Sequence, residues 1–88
     1  MNDKLKISII TVAFNSEKTI RDTIKSIVNQ DYKNIEYIVI DGNSTDDTNQ
    51  IIREFANNVD IHISEEDEGI YDAMNKGIKS ASGDIIGI

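Results

Sequence analysis

Acidic side chains standing at the ends of apolar runs carry most of the chemistry in this chain. Asp41 follows Tyr37-Ile-Val-Ile40, and Gly42, Asn43, Ser44, Thr45, Asp46 and Asp47 come directly after it. An ionised carboxylate only accepts hydrogen bonds, so Asp41 suits either a ligand's ring N–H and hydroxyls or the donors of its own turn. Asp46 and Asp47 fall where a helix would begin and there complement its N-terminus. Ser44, with Asp47 three residues later, has the order of a capping box. A second cluster, Glu65, Glu66, Asp67 and Glu68 before Gly69, is either a solvated loop or a loop facing a ligand. His62 lies on the polar side of a short alternating run, with no sequence neighbour to orient it as a base. Asp41-x-Asn43-x-Thr45 has the opening of a calcium loop and fails as one. Asp46 takes the place of the sharp-turn glycine, and Ile52 that of the bidentate glutamate. Asn43-Ser44-Thr45 is a formal glycosylation acceptor that reads as a turn.

These residues need a scaffold that brings them to one rim, and the apolar pattern supplies it. Leu5 to Phe14 alternates and then becomes apolar but for Thr11, as a central parallel strand does. Asn15-Ser16 offers N-cap chemistry, and Ile20, Ile24, Ile27 and Val28 form one stripe of an amphipathic helix behind it. A second strand runs from Ile35 to Asp41, covered on both faces. A second helix, from about Thr45 to Ala56, buries Ile51, Ile52 and Phe55. Val59 to Ile63 alternates and reads as a short strand at or near an edge. Ile70, Ala73, Met74, Gly77, Ile78 and Ala81 make a third helical stripe, with Met74 in the core and Tyr71 at a pocket edge. Asp84 to Ile88 opens a fourth strand. The order is β-α-β-α-β-α-β, an α/β class in which a right-handed crossover makes the first two strands parallel neighbours. Phe14 and Asp41 then share one rim, where open α/β sheets bind ligands.

Composition narrows the function. With 9 Lys and Arg against 16 Asp and Glu the formal charge is -7, and the basic residues are scattered, which argues against a nucleic-acid partner. There is no cysteine, so no disulfide framework or thiolate metal site is available. No apolar stretch approaches the roughly 20 residues of a membrane span, and the first residues lack the cleavage site of a leader. A cytoplasmic protein is expected, at most at the inner face of a membrane through segments not in this chain. The 88 residues make at most one domain. A chain ending inside an apolar strand is expected to be the first part of a longer fold.

Four segments, in this order and spacing, carry a resemblance. They are Ile7-Ser-Ile-Ile-Thr-Val-Ala-Phe-Asn15, Ile35-Glu-Tyr-Ile-Val-Ile-Asp-Gly-Asn-Ser-Thr-Asp46, Ile63-Ser-Glu-Glu-Asp-Glu-Gly-Ile-Tyr-Asp-Ala-Met-Asn-Lys-Gly-Ile78 and Ser82-Gly-Asp-Ile-Ile-Gly87. Together they resemble the N-terminal half of a family 2 glycosyltransferase with the GT-A fold, the third segment being similar to the bacterial branch that builds surface polysaccharides. The resemblance implies a Rossmann-like three-layer α/β/α architecture with a mostly parallel sheet, broken off in its fourth strand. It implies a donor that is a nucleotide diphosphate sugar, a uridine diphosphate sugar by preference, and a glycan or lipid-linked acceptor attacked with inversion. On this reading residues 1–88 are the nucleotide-sugar-binding part, with Thr11, Ala13 and Asn15 at the nucleoside rim and Asp41 and Gly42 opposite. Asp67, Gly69 and Asn75 lie toward the ribose and diphosphate. Where the family commonly carries two adjacent acids this chain has Asp41 and then Gly42, and where many relatives carry Arg-Asn it has Met74-Asn75. The family's Asp-x-Asp motif for a divalent cation, Mn or Mg, and its catalytic base are expected beyond Ile88, so these residues alone are expected to be inactive. Two other readings stay in view: a transferase that binds nucleotide without turnover, and a receiver-like α/β module. The module needs a carboxylate at the end of its third strand, where this chain has Ile63-Ser64.

Overall fold

β-branched residues dominate Ile7–Ala13 (β1) and Ile35–Asp41 (β2), and such side chains pack well on a pleated surface covered from both sides. The computed structural model describes residues 5–88; residues 1–4, part of the stretch read as lacking a leader, lie outside them. β1 and β2 pair in parallel along their whole length, from Ile7 opposite Ile35 to Ala13 opposite Asp41. Ile61–Ser64 (β3) adds to the free side of β2 and Ile85–Gly87 (β4) to the free side of β1, both parallel, so the order is β3-β2-β1-β4. Every pairing among the described residues is parallel, and β3 is an edge, as its polar alternation requires.

Helices Ile20–Val28 (α1) and Thr48–Glu54 (α2) cover one face. Ile20, Ile24, Ile51 and Ile52 pack there against Tyr37, Val39 and Ala13. Helix Ile70–Ser80 (α3) covers the other, where Ala73 meets Ile10, Ile38 and Ile40. The three-layer architecture expected of the resemblance is present. Ile24, Ile38, Val39 and Ile40 are fully buried, and each side chain of this kind stabilises the fold by roughly 1.5–3 kcal/mol. α3 approaches β1 closely because Gly77 has no side chain: a Cβ there would stand 2.5 Å from Ile10 Cγ2. The chain winds β1-β2-β3 in one direction and then crosses back past β1 to β4. The carboxyl ends of β1 and β2 therefore lie beside the point where the strand order reverses, the usual ligand position in open α/β sheets.

Some boundaries differ from the sequence reading, each for a local reason. α2 starts at Thr48 and not near Thr45, because the Ser44 hydroxyl and N–H are both donated to Asp41 and cannot cap. Asp46 takes over the helix start, accepting the Thr48 N–H at 2.9 Å and the Thr48 hydroxyl. β3 starts at Ile61 and not at Val59. Asp60 Oδ2 accepts the Tyr37 N–H at 2.7 Å and the Asp60 N–H donates to the Tyr37 carbonyl, so the chain joins the sheet through that side chain first. At the opposite rim Glu36 binds the return to β4: it accepts the Ser8 hydroxyl, the Ser82 N–H and the Ser82 hydroxyl at 2.8–2.9 Å. Those bonds, the Ser82 N–H first, hold its carboxyl below the usual glutamate range against the effect of burial, with Lys6 adding a smaller pull.

Candidate functional site

A cleft of about 650 Å³ opens at the carboxyl ends of β1 and β2. One wall is the strand rim, Val12, Ala13, Phe14, Gly42, Asn43 and Thr45; the other is the β3–α3 loop and the first turns of α3, through Glu66, Asp67, Gly69, Ile70 and Ala73. A mainly apolar cleft with a few placed acceptors is the usual make-up of a small-molecule site. The backbone has been shaped to make it. Asn43 and Gly69 sit at φ 66 and 116, and Gly69 caps α3 in a conformation that a side chain would strain.

Four of the residues expected at the site line this cleft: Ala13, Gly42, Asp67 and Gly69. Four do not. Thr11 points to the α1/α2 face, where its hydroxyl lies 2.8 Å from the Tyr37 hydroxyl in place of a ligand. Burial raises the Tyr37 phenol pKa, and the Thr11 bond only partly offsets it. Asn75 is on the exposed side of α3, away from the lining. Tyr71, expected at the pocket edge, is 78% exposed and is likewise not part of the wall.

Asp41 is not part of the cleft lining. Strand parity sends it to the same face as Tyr37 and Val39, so its carboxylate turns under the rim toward α2, with no exposed surface. Both oxygens are used. Oδ2 accepts the Ser44 N–H at 2.8 Å, the Asn49 amide at 2.9 Å and the Ser64 hydroxyl at 3.0 Å, and Oδ1 accepts the Ser44 hydroxyl. Burial pushes this carboxyl up, and the four bonds together outweigh it, leaving it below the usual aspartate range. Asn49 is the hub, since its second amide hydrogen reaches Ser64 and its Oδ1 lies 2.9 Å from His62 Nε2. With its amide hydrogens donated to Asp41 and Ser64, Asn49 accepts on Oδ1, so Nε2 carries a proton. Burial first, then the Arg53 charge, lowers its pKa against the pull of Asp41. Asn49, Ser64 and His62 were not legible as a unit in the sequence. Their spacing is irregular because they come from a helix face and an edge strand.

Asn15 has a comparable structural task. At φ 47 it turns the chain after β1, donates its N–H to Ser44 Oγ at 2.8 Å and accepts the Thr45 N–H on Oδ1 at 2.9 Å. The next two N–H groups, of Ser16 and Glu17, donate to Thr48 Oγ1 and Asp46 Oδ2. Three successive N–H groups after a strand form an anion nest in many nucleotide folds; here side chains of the neighbouring turn consume them. Phosphate charge is therefore not met at the start of α1, and the open surface is the cleft on the α3 side.

The acid that does reach the cleft is Asp67. Its Oδ1 accepts the Gly69 N–H at 3.0 Å, which ties the carboxylate to the start of α3. Lys76 secures the same loop from α3, donating to the Glu66 carbonyl at 2.8 Å and pairing with Glu65 at 3.2 Å and Asp72 at 3.6 Å. The loop of four acids is thus bound to the helix by Lys76 and by the Glu68 N–H, which donates to Asp72 Oδ2 at 3.0 Å. No three His, Cys, Asp or Glu side chains among the described residues converge as a metal centre. No described helix is long and apolar enough to cross a membrane.

Comparison with known proteins agrees with this fold. The model of glycosyl transferase family 2 matches residues 8–88. The uncharacterized glycosyltransferase Rv1514c of Mycobacterium tuberculosis is 43% identical over 81 residues, which are 91% of this chain and 31% of that protein. Among solved structures, S. aureus TarS 1-349 in complex with UDP-GlcNAc superposes with a TM-score of 0.85 at 30% identity, covering 93% of this chain and 25% of that one. The mannosyltransferase PcManGT from Pyrobaculum calidifontis, in complex with GDP-Man and Mn2+, gives a TM-score of 0.84 at 26% identity, covering 97% and 27%. The chain spans about a third or less of each of these relatives.

Proposed function

The chain belongs to glycosyl transferase family 2, and on that premise we propose that residues 1–88 form the nucleotide-binding part of an enzyme that transfers a sugar from a nucleoside diphosphate sugar. The observation that carries this reading is the cleft itself. It joins the exposed ring of Phe14, a rim of backbone groups and the Asp67 carboxylate at the reversal point of a parallel sheet. A planar base finds an apolar wall there, and its N–H or the ribose hydroxyls find an acceptor. Relatives of this fold hold UDP-GlcNAc in one case and GDP-Man with Mn2+ in another, which supports a nucleotide sugar as the donor here. A uridine nucleotide is the preferred donor, and a glycan or lipid-linked acceptor reacting with inversion completes the proposal for the longer protein.

The described residues bind and orient; they hold no base placed to deprotonate an acceptor. A divalent cation, Mn or Mg, would neutralise the diphosphate leaving group, with its carboxylate ligands and the catalytic base supplied by parts of the longer protein outside these residues. The 88 residues alone are accordingly proposed to bind without turnover. Titration of UDP into the 15N-labelled chain tests this: amide shifts should move at Gly42, Asp67 and Gly69. Shifts confined to the opposite end of the sheet, around Val28 and Asn58, or no shifts at all, would refute it.

A further inference from the structure

Glu66, Asp67 and Gly69 belong to one wall of the cleft, and the two acids stand in a run of four, Glu65 to Glu68, whose charges repel one another. What holds this run in place lies behind the wall, on α3. Lys76 Nζ sits among three oxygens, the Glu66 carbonyl at 2.8 Å, Glu65 Oε1 at 3.2 Å and Asp72 Oδ2 at 3.6 Å, and its side chain is only 22% exposed. One turn earlier on the helix, Asp72 Oδ2 accepts the Glu68 N–H at 3.0 Å. These contacts run antiparallel: residue 68 is tied to 72, and residue 66 to 76. The loop therefore folds back along the first two turns of α3, with Gly69 at φ 116 as the point of reversal. Neither Asp72 nor Lys76 lines the cleft.

We propose that Asp72 and Lys76 are positioning residues, an i, i+4 pair that straps the β3–α3 loop onto α3 and so assembles the cleft wall before a nucleotide arrives. This rests on the nucleotide reading of the cleft and deepens it. An ammonium has three donors, and all three have oxygens to face in the loop and helix, so Lys76 acts on a ligand through the wall and not by touching it. Without the lysine the four acids spread apart, and each binding event has to order the loop again at the expense of affinity.

Amide hydrogen exchange on the free chain and calorimetric titration with UDP test the strap in wild type, K76M and K76R. Methionine keeps most of the length of Lys76 and removes its donors and charge; arginine restores both. In K76M exchange at Glu68 and Gly69 should quicken about fivefold or more while Ile38 and Ile40 in the sheet keep their wild-type rates. The UDP affinity should fall about three- to tenfold, the cost of ordering one or two loop side chains at binding, and K76R should recover most of both losses. Unchanged exchange at Glu68 and Gly69 in K76M would overturn the strap, and faster exchange throughout the sheet would make Lys76 a residue of general stability instead. A loosened loop with full UDP affinity would overturn the positioning role. A wild-type chain that binds no UDP would overturn the nucleotide reading, with the exchange rates still deciding whether the pair holds the loop.

Discussion

Replacing Asp41 by alanine separates a structural role from a ligand contact, because the two predict opposite readouts. The carboxylate is fully buried and accepts from the Ser44 N–H, the Ser44 hydroxyl, the Asn49 amide and the Ser64 hydroxyl. In D41A the two hydroxyls can rotate toward other acceptors. The Ser44 N–H and the Asn49 amide cannot, and each buried donor left without a partner costs about 1–3 kcal/mol. A loss of about 3–4 kcal/mol is expected, against a total of about 4–13 kcal/mol for a domain of this length. With a urea slope near 1 kcal/mol per molar, the midpoint should drop by about 3 M. D41N keeps one oxygen for the Ser44 N–H and should lose roughly half as much. The pH dependence gives an independent arm. Asp41 has its folded pKa below the usual 3.8, so its stabilisation is complete above about pH 4 and is lost as the pH falls below 3.8 through the folded value. That component of acid unfolding should be missing in D41N. If D41A unfolds within about 1 kcal/mol of wild type, or keeps its stability while losing UDP, the carboxylate works in the cleft and the structural account is wrong.

Two further perturbations probe the layers on either side of the sheet. G77A places a Cβ 2.5 Å from Ile10 Cγ2 and should destabilise the chain by about 1–3 kcal/mol, a loss that I10A should largely relieve in a double-mutant cycle; additive losses would show that α3 does not seat on Ile10. His62, lowered first by burial and then by Arg53, binds fewer protons folded than unfolded. Stability should therefore rise with pH through the window between its folded pKa and 6.5, the His62 ring should titrate below 6.5 by NMR, and H62Q should flatten that slope. A His62 titration above 6.5 would contradict the downward shift that burial and Arg53 impose.

Periodicity made the scaffold legible. Ile20, Ile24, Ile51 and Ile52 announce the helices of one face, and the unbroken apolar run into Asp41 announces a strand covered on both faces. Boundaries failed where polar side chains outbid the backbone pattern: Ser44 was drawn off its expected cap by Asp41, and Asp60 took a sheet N–H before β3 began. The site was half legible. A rim at the ends of β1 and β2 follows from topology, but which side chains face it follows from parity and from how many acceptors are already engaged.

Strand parity, more than chemical type, decides which way Asp41 faces. Counting by twos from Tyr37 through Val39 sends Asp41 to the α2 face, and Ser44, Asn49 and Ser64 supply it with donors there. A carboxylate with four donors has little left for a ligand. The carboxylate that lines the cleft is that of Asp67 in the β3–α3 loop, close over Gly42. A Cβ at residue 42 would stand 2.9 Å from Asp67 Oδ2, so the glycine and the position of the Asp67 carboxylate go together. At this rim the carboxylate that lines the cleft comes from the β3–α3 loop, and the strand's own Asp41 is spent on Ser44, Asn49 and Ser64.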